Sequence, residues 1–387
     1  MKRMFVVLMS LALVGLVVAG NDSNVNQTGD NQTASVTQTG DSNETTVDQV
    51  TDNSGPQEST VIQDGDENVA DVDQSQTGGG NNTPANTAYL EQVGDRNTGT
   101  QSQSAGGSNS GQHVSGLQVG NDNELSQTIT SGYTERLTAE QHGNENEAIQ
   151  TASATHSHGE VYQDGLRNYA EQHLRGSNNG YMSASVIIDQ LGNDNTAVQD
   201  VIKGSGSSHK NNAEIYQTGN LNNASQSAIG RDLNTVITQT GDNNEACSDQ
   251  SGGNNNSATI TQIGDGNGWA ALDLSAIGGQ PANCPLGDNT VVQVGNDNVA
   301  STLIDGNLNM TKTYQEGDLN TGTIDIGLPL SSSNNAGMSQ VGDGHGSTMT
   351  IVGDGNTAFS CQNGDSHLSI ISQNGGTNTA SVIQSTN

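Results

Sequence analysis

Residues 211–230 read NNAEIYQTGNLNNASQSAIG. Every second residue from Asn211 gives Asn211, Ala213, Ile215, Gln217 and Gly219. After a skip of two, the reading restarts at Asn222, Ala224, Gln226, Ala228 and Gly230. Alternation with period two is the strand period. An eleven-residue repeat can also specify a right-handed helical coil. Here each unit carries Gly and Asn at fixed places, and both weaken helices. The second sign of strands lies at residues 256–264, NSATITQIG: Asn256, Ala258, Ile260, Gln262 and Gly264 share one face, and Ser257, Thr259, Thr261 and Ile263 the other. The Thr and Ile of this segment are residues that strands favour.

Working outward, the pattern Gln-x-Gly-x-x-Asn occurs fifteen times, and thirteen of these copies mark the repeat units. Their glutamines are Gln38, Gln63, Gln92, Gln118, Gln141, Gln163, Gln190, Gln217, Gln239, Gln262, Gln293, Gln315 and Gln373. Their asparagines are Asn43, Asn68, Asn97, Asn123, Asn146, Asn168, Asn195, Asn222, Asn244, Asn267, Asn298, Asn320 and Asn378. Two further copies, from Gln340 and Gln362, end in His345 and His367. A small residue tends to follow two places after the Asn, and Gln or an aliphatic six places after it, as at Gln49, Gln74, Gln103, Val201, Gln250, Ile304 and Gln384. Each unit therefore reads as a strand of roughly six to eight residues and a Gly-x-x-Asn turn. Gly and Asn tolerate positive φ there, and Asp and Asn side chains bond their own backbone.

Two units make a strand-turn-strand rung; Gln217–Gln239, Gln141–Gln163 and Gln293–Gln315 are each 22 residues apart. The expected fold is all-β: a two-sheet, cross-β solenoid of roughly fifteen rungs stacked at about 4.8 Å, a column on the order of 70 Å tall. Stacking places Gln above Gln and Asn above Asn, so side-chain amides bond along the axis. The glutamines and asparagines above, with Gln340 and Gln362, are the candidate ladder residues. Pro56, Pro84, Pro281, Pro285 and Pro329 fall where the unit spacing is stretched. Proline cannot donate to a ladder, so these positions predict loop insertions, the longest at 274–288.

The composition permits this fold and little else. With 30% hydrophobic and 3% aromatic residues, a conventional oily core is hard to build. Low hydrophobicity with high charge reads as disorder when no regular pattern is present; here one is. Lys2 and Arg3 precede an apolar run from Met4 to Val18 and the small Ala19 and Gly20, the layout of a secretory signal. The expected division is a signal at 1–19 and one repeat array at 20–387. Removal of the signal leaves 8 basic against 42 acidic residues, a net charge of −34. Such a surface repels nucleic acid and anionic lipid, and no second apolar run suggests membrane insertion of the mature chain.

At residues 63–74, QDGDENVADVDQ, and 239–250, QTGDNNEACSDQ, the unit resembles the curlin repeat. Gln63, Gly65, Asn68, Ala70 and Gln74 carry the likeness in the first; Gln239, Gly241, Asn244, Ala246 and Gln250 carry it in the second. The resemblance extends over nearly all of the chain after residue 20. It implies a subunit of an extracellular functional amyloid of the curli type, exported through the periplasm, self-associating into fibres for biofilm matrix and adhesion. It further implies a nucleator subunit and an outer-membrane secretion channel as partners. This chain departs in having several times the usual number of units, and in starting its repeats almost directly after the signal, at Asn21.

Other chemistry reads more weakly. Of three cysteines, Cys247 and Cys284 form a candidate disulfide in an exported chain, and Cys361 is left over. His156-x-His158 is a turn substitution or a fragment of a metal site. No nucleophile–base pair or phosphate loop stands out, so neither an enzyme, a cofactor nor a resident metal is expected. Tyr162, Tyr216 and Tyr314 precede ladder glutamines on the outward face. An alternative is a monomeric solenoid binding ice or glycan through outward Thr37, Thr238 and Thr261, and a third is the stalk of a larger adhesin.

Overall fold

The computed structural model describes residues 20–51, 56–77, 85–106, 111–130, 134–153, 156–176, 182–203, 209–267 and 291–385. Among them are 29 strands and no helix. The fold is a β-solenoid, and all strand pairing is parallel. Odd-numbered strands, from β1 (Asp22–Thr28) to β29 (Thr379–Ser385), form one 15-stranded sheet. Even-numbered strands, from β2 (Gln32–Thr39) to β28 (Leu368–Asn374), form the other, with 14. Consecutive strands never pair; each lies across the core from the next and bonds to the strand one rung away. The expected signal, Pro84, Pro281 and Pro285, and the 274–288 insertion lie outside the described residues.

The opening stretch shows the construction. β16 (His209–Thr218) ends at Thr218, the chain turns, and β17 (Asn223–Arg231) returns on the other sheet. Asn211, Ala213, Ile215 and Gln217 face inward from the first, and Ala224, Gln226 and Ala228 from the second; all seven are buried. β16 pairs with β18 (Asn234–Thr240) in the 22-residue register, Ile215 on Ile237 and Gln217 on Gln239. Where loops are inserted the rung lengthens, to 29 residues between Gln74 and Gln103. Pro56 stands just before β4 (Gln57–Asp64), as a loop proline should. Pro329 does not: it lies within β24 (Thr321–Ser332), where the register jumps between Ile304 and Gly306. A bulge within a strand excuses a missing donor as well as a loop does.

The apolar core is continuous from Val36 to Ala300 and resumes as a second cluster from Ile324 to Ile371. Between them, buried Thr302, Thr311 and Thr313 occupy inward positions. That gap coincides with a change of phase. Before residue 268 the motif glutamines sit on the even sheet, ending at Gln262 on β20 (Ser257–Ile263). The next motif glutamine, Gln293 on β21 (Val291–Val294), sits on the odd sheet and stacks on Gln250. On the even sheet Gln262 faces Ile304 of β22 (Val299–Asn307) instead. The repeat has slipped by half a turn.

Close stacking of turns sets the glycine requirement. Gly143 has φ +110°, and a Cβ there would fall 1.9 Å from the carbonyl oxygen of Gly165 on the next rung. At Gly355, φ is +66° and the nearest atom would be 3.4 Å away. Gly143→Ala should therefore cost about 3 kcal/mol, and Gly355→Ala about 1 kcal/mol; denaturant midpoints of the two variants check this ranking.

Candidate functional site: amide ladders and outer strands

From Gln63 to Gln262 the motif glutamines of the even sheet are buried in one column. Gln63 Nε2 donates to Gln92 Oε1 at 2.9 Å, Gln92 to Gln118 at 2.8 Å, and Gln118 to Gln141 at 3.0 Å. The same bond links Gln38 to Gln63 and runs on from Gln141 through Gln163, Gln190, Gln217 and Gln239 to Gln262. Each amide also reaches across the core: Gln163 Nε2 donates to the Glu147 carbonyl on the opposite sheet at 3.0 Å. The odd sheet carries the later motif glutamines, linked from Gln250 through Gln293, Gln315, Gln340 and Gln362 to Gln384. Gln373 returns to the even sheet, stacked on Ile351.

The asparagines line the edges. Asn68 donates both its backbone N–H (2.9 Å) and its Nδ2 (3.1 Å) to Asn43 Oδ1, and Nδ2 also donates to the Gly94 carbonyl at 2.6 Å. This edge column holds Asn43, Asn68, Asn97, Asn123, Asn146, Asn168, Asn195, Asn222, Asn244 and Asn267, and continues through Asn309, Asn334 and Asn356 to Asn378. Asn298 and Asn320 belong to the opposite edge, above Asn256, and that column ends in His345 and His367. The two ladder types run in opposite directions. Glutamines donate toward the C-terminal end of the stack, and asparagines toward the N-terminal end.

Two sets of ladder residues fall outside the motif. Gln101, Gln127, Gln150, Gln172, Gln199 and Gln226 form a second column on the odd sheet. Each stands four residues after a motif Asn, where Gln49, Gln74 and Gln103 stand six after theirs. The signal was in the sequence as a shift of the amide by one inward position. Where a column begins, its acceptor lacks a donor below: Gln101 Oε1 and Gln250 Oε1 are buried without a hydrogen-bond partner. The turn acids form the other set. Asp66 Oδ1 accepts the backbone N–H of Asp41, Asp95 Oδ1 that of Asp66, and Asp265 Oδ1 that of Asp242, at 2.7–2.9 Å.

Cys247 is a free thiol, so the expected Cys247–Cys284 bridge is not formed; Cys284 itself lies outside the described residues. Burial, and then Asp249, push the Cys247 thiol up to about 12, which leaves it protonated and unreactive at neutral pH. Cys361 is disulfide-bonded. His156 bonds Thr134, and His158 lies 3.8 Å from Glu160; among the described residues no three His, Cys, Asp or Glu are grouped to hold a metal. Tyr162 and Tyr216 share an outward column with Asp189 between them, whereas Tyr314 is on the other sheet. Outward Thr37 stacks on Ile62; Thr238 and Thr261 stack together between Tyr216 and Leu303. No described helix is long and apolar enough to cross a membrane.

Residues 230–264 match the family model of the curlin associated repeat. Over this stretch the chain is similar to a curlin repeat. It spans β18, β19 (Glu245–Asn254) and β20 with their two turns, so its Gln239, Asn244, Gln250 and Gln262 are the ladder residues described above. The likeness of the chain to curlin-repeat proteins thus rests on the segments that form its amide columns. No curated protein matches the chain.

The outer faces carry opposed titrations. Burial and then the Arg136 guanidinium, stacked between them, hold His113 low; burial also holds His158 low, partly offset by Glu160 and reinforced by Arg136. Burial and like charge raise Asp71, Asp73, Glu147 and Asp189. A depressed imidazole gives stability that is present above its ordinary 6.5 and lost as pH falls below it. A raised carboxyl is a penalty at neutral pH, relieved as pH falls through its folded value toward the ordinary 3.8. Denaturant midpoints should dip below neutrality and recover on approach to the carboxylate range. Separately, Gln163→Leu strands the Gln141 donor and the Gln190 acceptor. It should cost about 3 kcal/mol, against about 1 kcal/mol for Ile188→Val in the same core, read by the same assay.

Proposed function

We propose that the chain is a structural subunit of a curli-like extracellular amyloid fibre, self-assembling for biofilm matrix and surface adhesion. The carrying observation is the complementarity of the two end rungs. At the N-terminal end, Gln27 and Gln38 direct Oε1 outward, since their Nε2 groups donate inward to Gln49 and Gln63, and buried Asn21 Nδ2 has no partner. At the other end, Gln384 Oε1 is taken by Gln362 and its Nε2 donates to the Leu368 carbonyl, which leaves one amide hydrogen to the next rung. Asn378 donates its N–H to Asn356, which leaves its Oδ1 as an acceptor.

A second copy set head to tail places Gln27 on Gln384, Asn21 on Asn378 and Val25 on Val382, while Gln38 meets Gln373. Donors meet acceptors and aliphatics meet aliphatics in the register that already links neighbouring rungs. Unpaired strand edges template such pairing, and a head-to-tail contact that does not close makes a filament. Export through the periplasm to the cell surface, a surface nucleator and an outer-membrane channel complete the reading, by resemblance to curlins. The chain acts as a scaffold and not as an enzyme.

The outermost strands are exposed, so they can be altered with the interior rungs intact. Val25→Lys and Val382→Lys should each keep the β signature in circular dichroism and lose elongation of wild-type seeds. Elongation at the wild-type rate by both variants would exclude this joint. Growth of wild-type fibres should also quicken with added salt, or as pH falls toward about 4, because the stacked turn carboxylates repel one another. A thioflavin time course reads that acceleration.

A further inference from the structure

On one edge the ladder changes chemistry. Asn256, Asn298 and Asn320 are followed by His345 and His367, at the starts of β26 (Gly346–Val352) and β28. His345 is 1% exposed. Its backbone N–H donates to Asn320 Oδ1 at 3.0 Å, as an asparagine's would. Its ring then takes over the acceptor role: the His367 backbone N–H points at His345 Nδ1, 3.2 Å away. The two imidazoles are stacked, centroids 5.3 Å apart and planes 6° from parallel.

The hydrogen bonds assign the protons. His345 Nε2 lies 3.2 Å from the Val341 carbonyl and His367 Nε2 3.1 Å from the Asn363 carbonyl, so each Nε2 must donate. His345 Nδ1 faces an N–H and must accept. The stacked pair is therefore closed only when His345 is neutral and protonated on Nε2. An asparagine oxygen at this place accepts at every pH of interest. An imidazole does not, because a proton on Nδ1 sets donor against donor and brings positive charge against the neighbouring ring.

Few other groups act on the pair. Asp318, Asp343 and Asp365 lie in the turns of the same edge. Their Oδ1 atoms are taken by the N–H groups of Asn296, Asp318 and Asp343. Glu316 precedes the first of these turns, and its Oε2 accepts from the Tyr314 hydroxyl. Asp325 faces outward from β24. On β25 (Asn335–Val341), β26, β27 (Thr357–Asn363) and β28 the remaining ionisable residue is Cys361, which is disulfide-bonded, and no Lys or Arg follows Lys312.

We infer that His345 and His367 form a proton-sensitive step in the edge ladder, which opens the start of β28 when a proton on His345 Nδ1 removes the acceptor of the His367 N–H. The step belongs to the single chain and operates whether or not copies assemble. Amide hydrogen exchange on the full chain tests it, comparing about pH 7.5 with about pH 5.5 after correction for intrinsic rates. In the wild type, protection of the His367 amide should fall about tenfold, the loss of one hydrogen bond. In His345→Asn, which puts an amide oxygen back in the column, that protection should not change with pH. Unchanged protection in the wild type, or an equal fall in the variant, would overturn the inference.

Discussion

A buried amide column tolerates no slip. Each glutamine Nε2 has one hydrogen for the rung beyond it and one for the carbonyl across the core, as Gln163 spends them on Gln190 and Glu147. Moving a strand by one residue would turn its amide to solvent and an outward side chain inward. Moving it by two would leave a donor without an acceptor, at about 1–3 kcal/mol for each buried group. Aliphatic packing alone penalises a two-residue slip far less, since Ala, Val and Ile interchange along these strands. The ladders thus account for register, and the thin apolar filling between them for cohesion.

The same argument explains where the stack is weak. A ladder can change column only at a rung where an acceptor or donor goes without a partner. Gln101 Oε1 and Gln250 Oε1 mark two such places. The half-turn slip after residue 267 adds a third discontinuity. There the even-sheet glutamines end at Gln262 opposite Ile304, and buried threonines separate the two apolar clusters. In a repeat stack, stability is a sum of rung and neighbour terms. The rungs below and above this point are therefore coupled more weakly to each other than to their own neighbours.

Much of this was legible in the sequence because the repeat states it. Period-two alternation gave the strands, the Gly-x-x-Asn spacing gave the turns, and the 22-residue recurrence of Gln217 and Gln239 gave the register that the backbone adopts. What the motif did not convey was which sheet a glutamine joins. Gln262 and Gln293 look alike in sequence, yet a half-turn insertion between them sends them to opposite walls. Gln150 and Gln172 stand outside the motif, and only their inward parity marks them as ladder residues. The disulfide expectation failed at Cys247, which is a free thiol; spacing along the chain does not say which cysteines pair. Pro329 was read as a loop residue because a bulge inside a strand has no sequence signature apart from the proline itself.

The turn acids resolve a tension in the composition. A net charge of −32 in a stack of parallel rungs brings carboxylates close together, as Asp41, Asp66 and Asp95 show. If these were only solubilising charges, lysine or serine would serve, and a mixed column would repel less. Their Oδ1 atoms are instead committed to the N–H of the adjoining turn, a bond that needs a short side chain ending in an acceptor. Asn121, Asn193 and Asn220 fill the same role without charge. The turn position therefore selects for Asp or Asn on geometry, and the choice between them sets the repulsion along the column. Structure fixes the acceptor; charge is the quantity left free for the environment to tune through salt and pH.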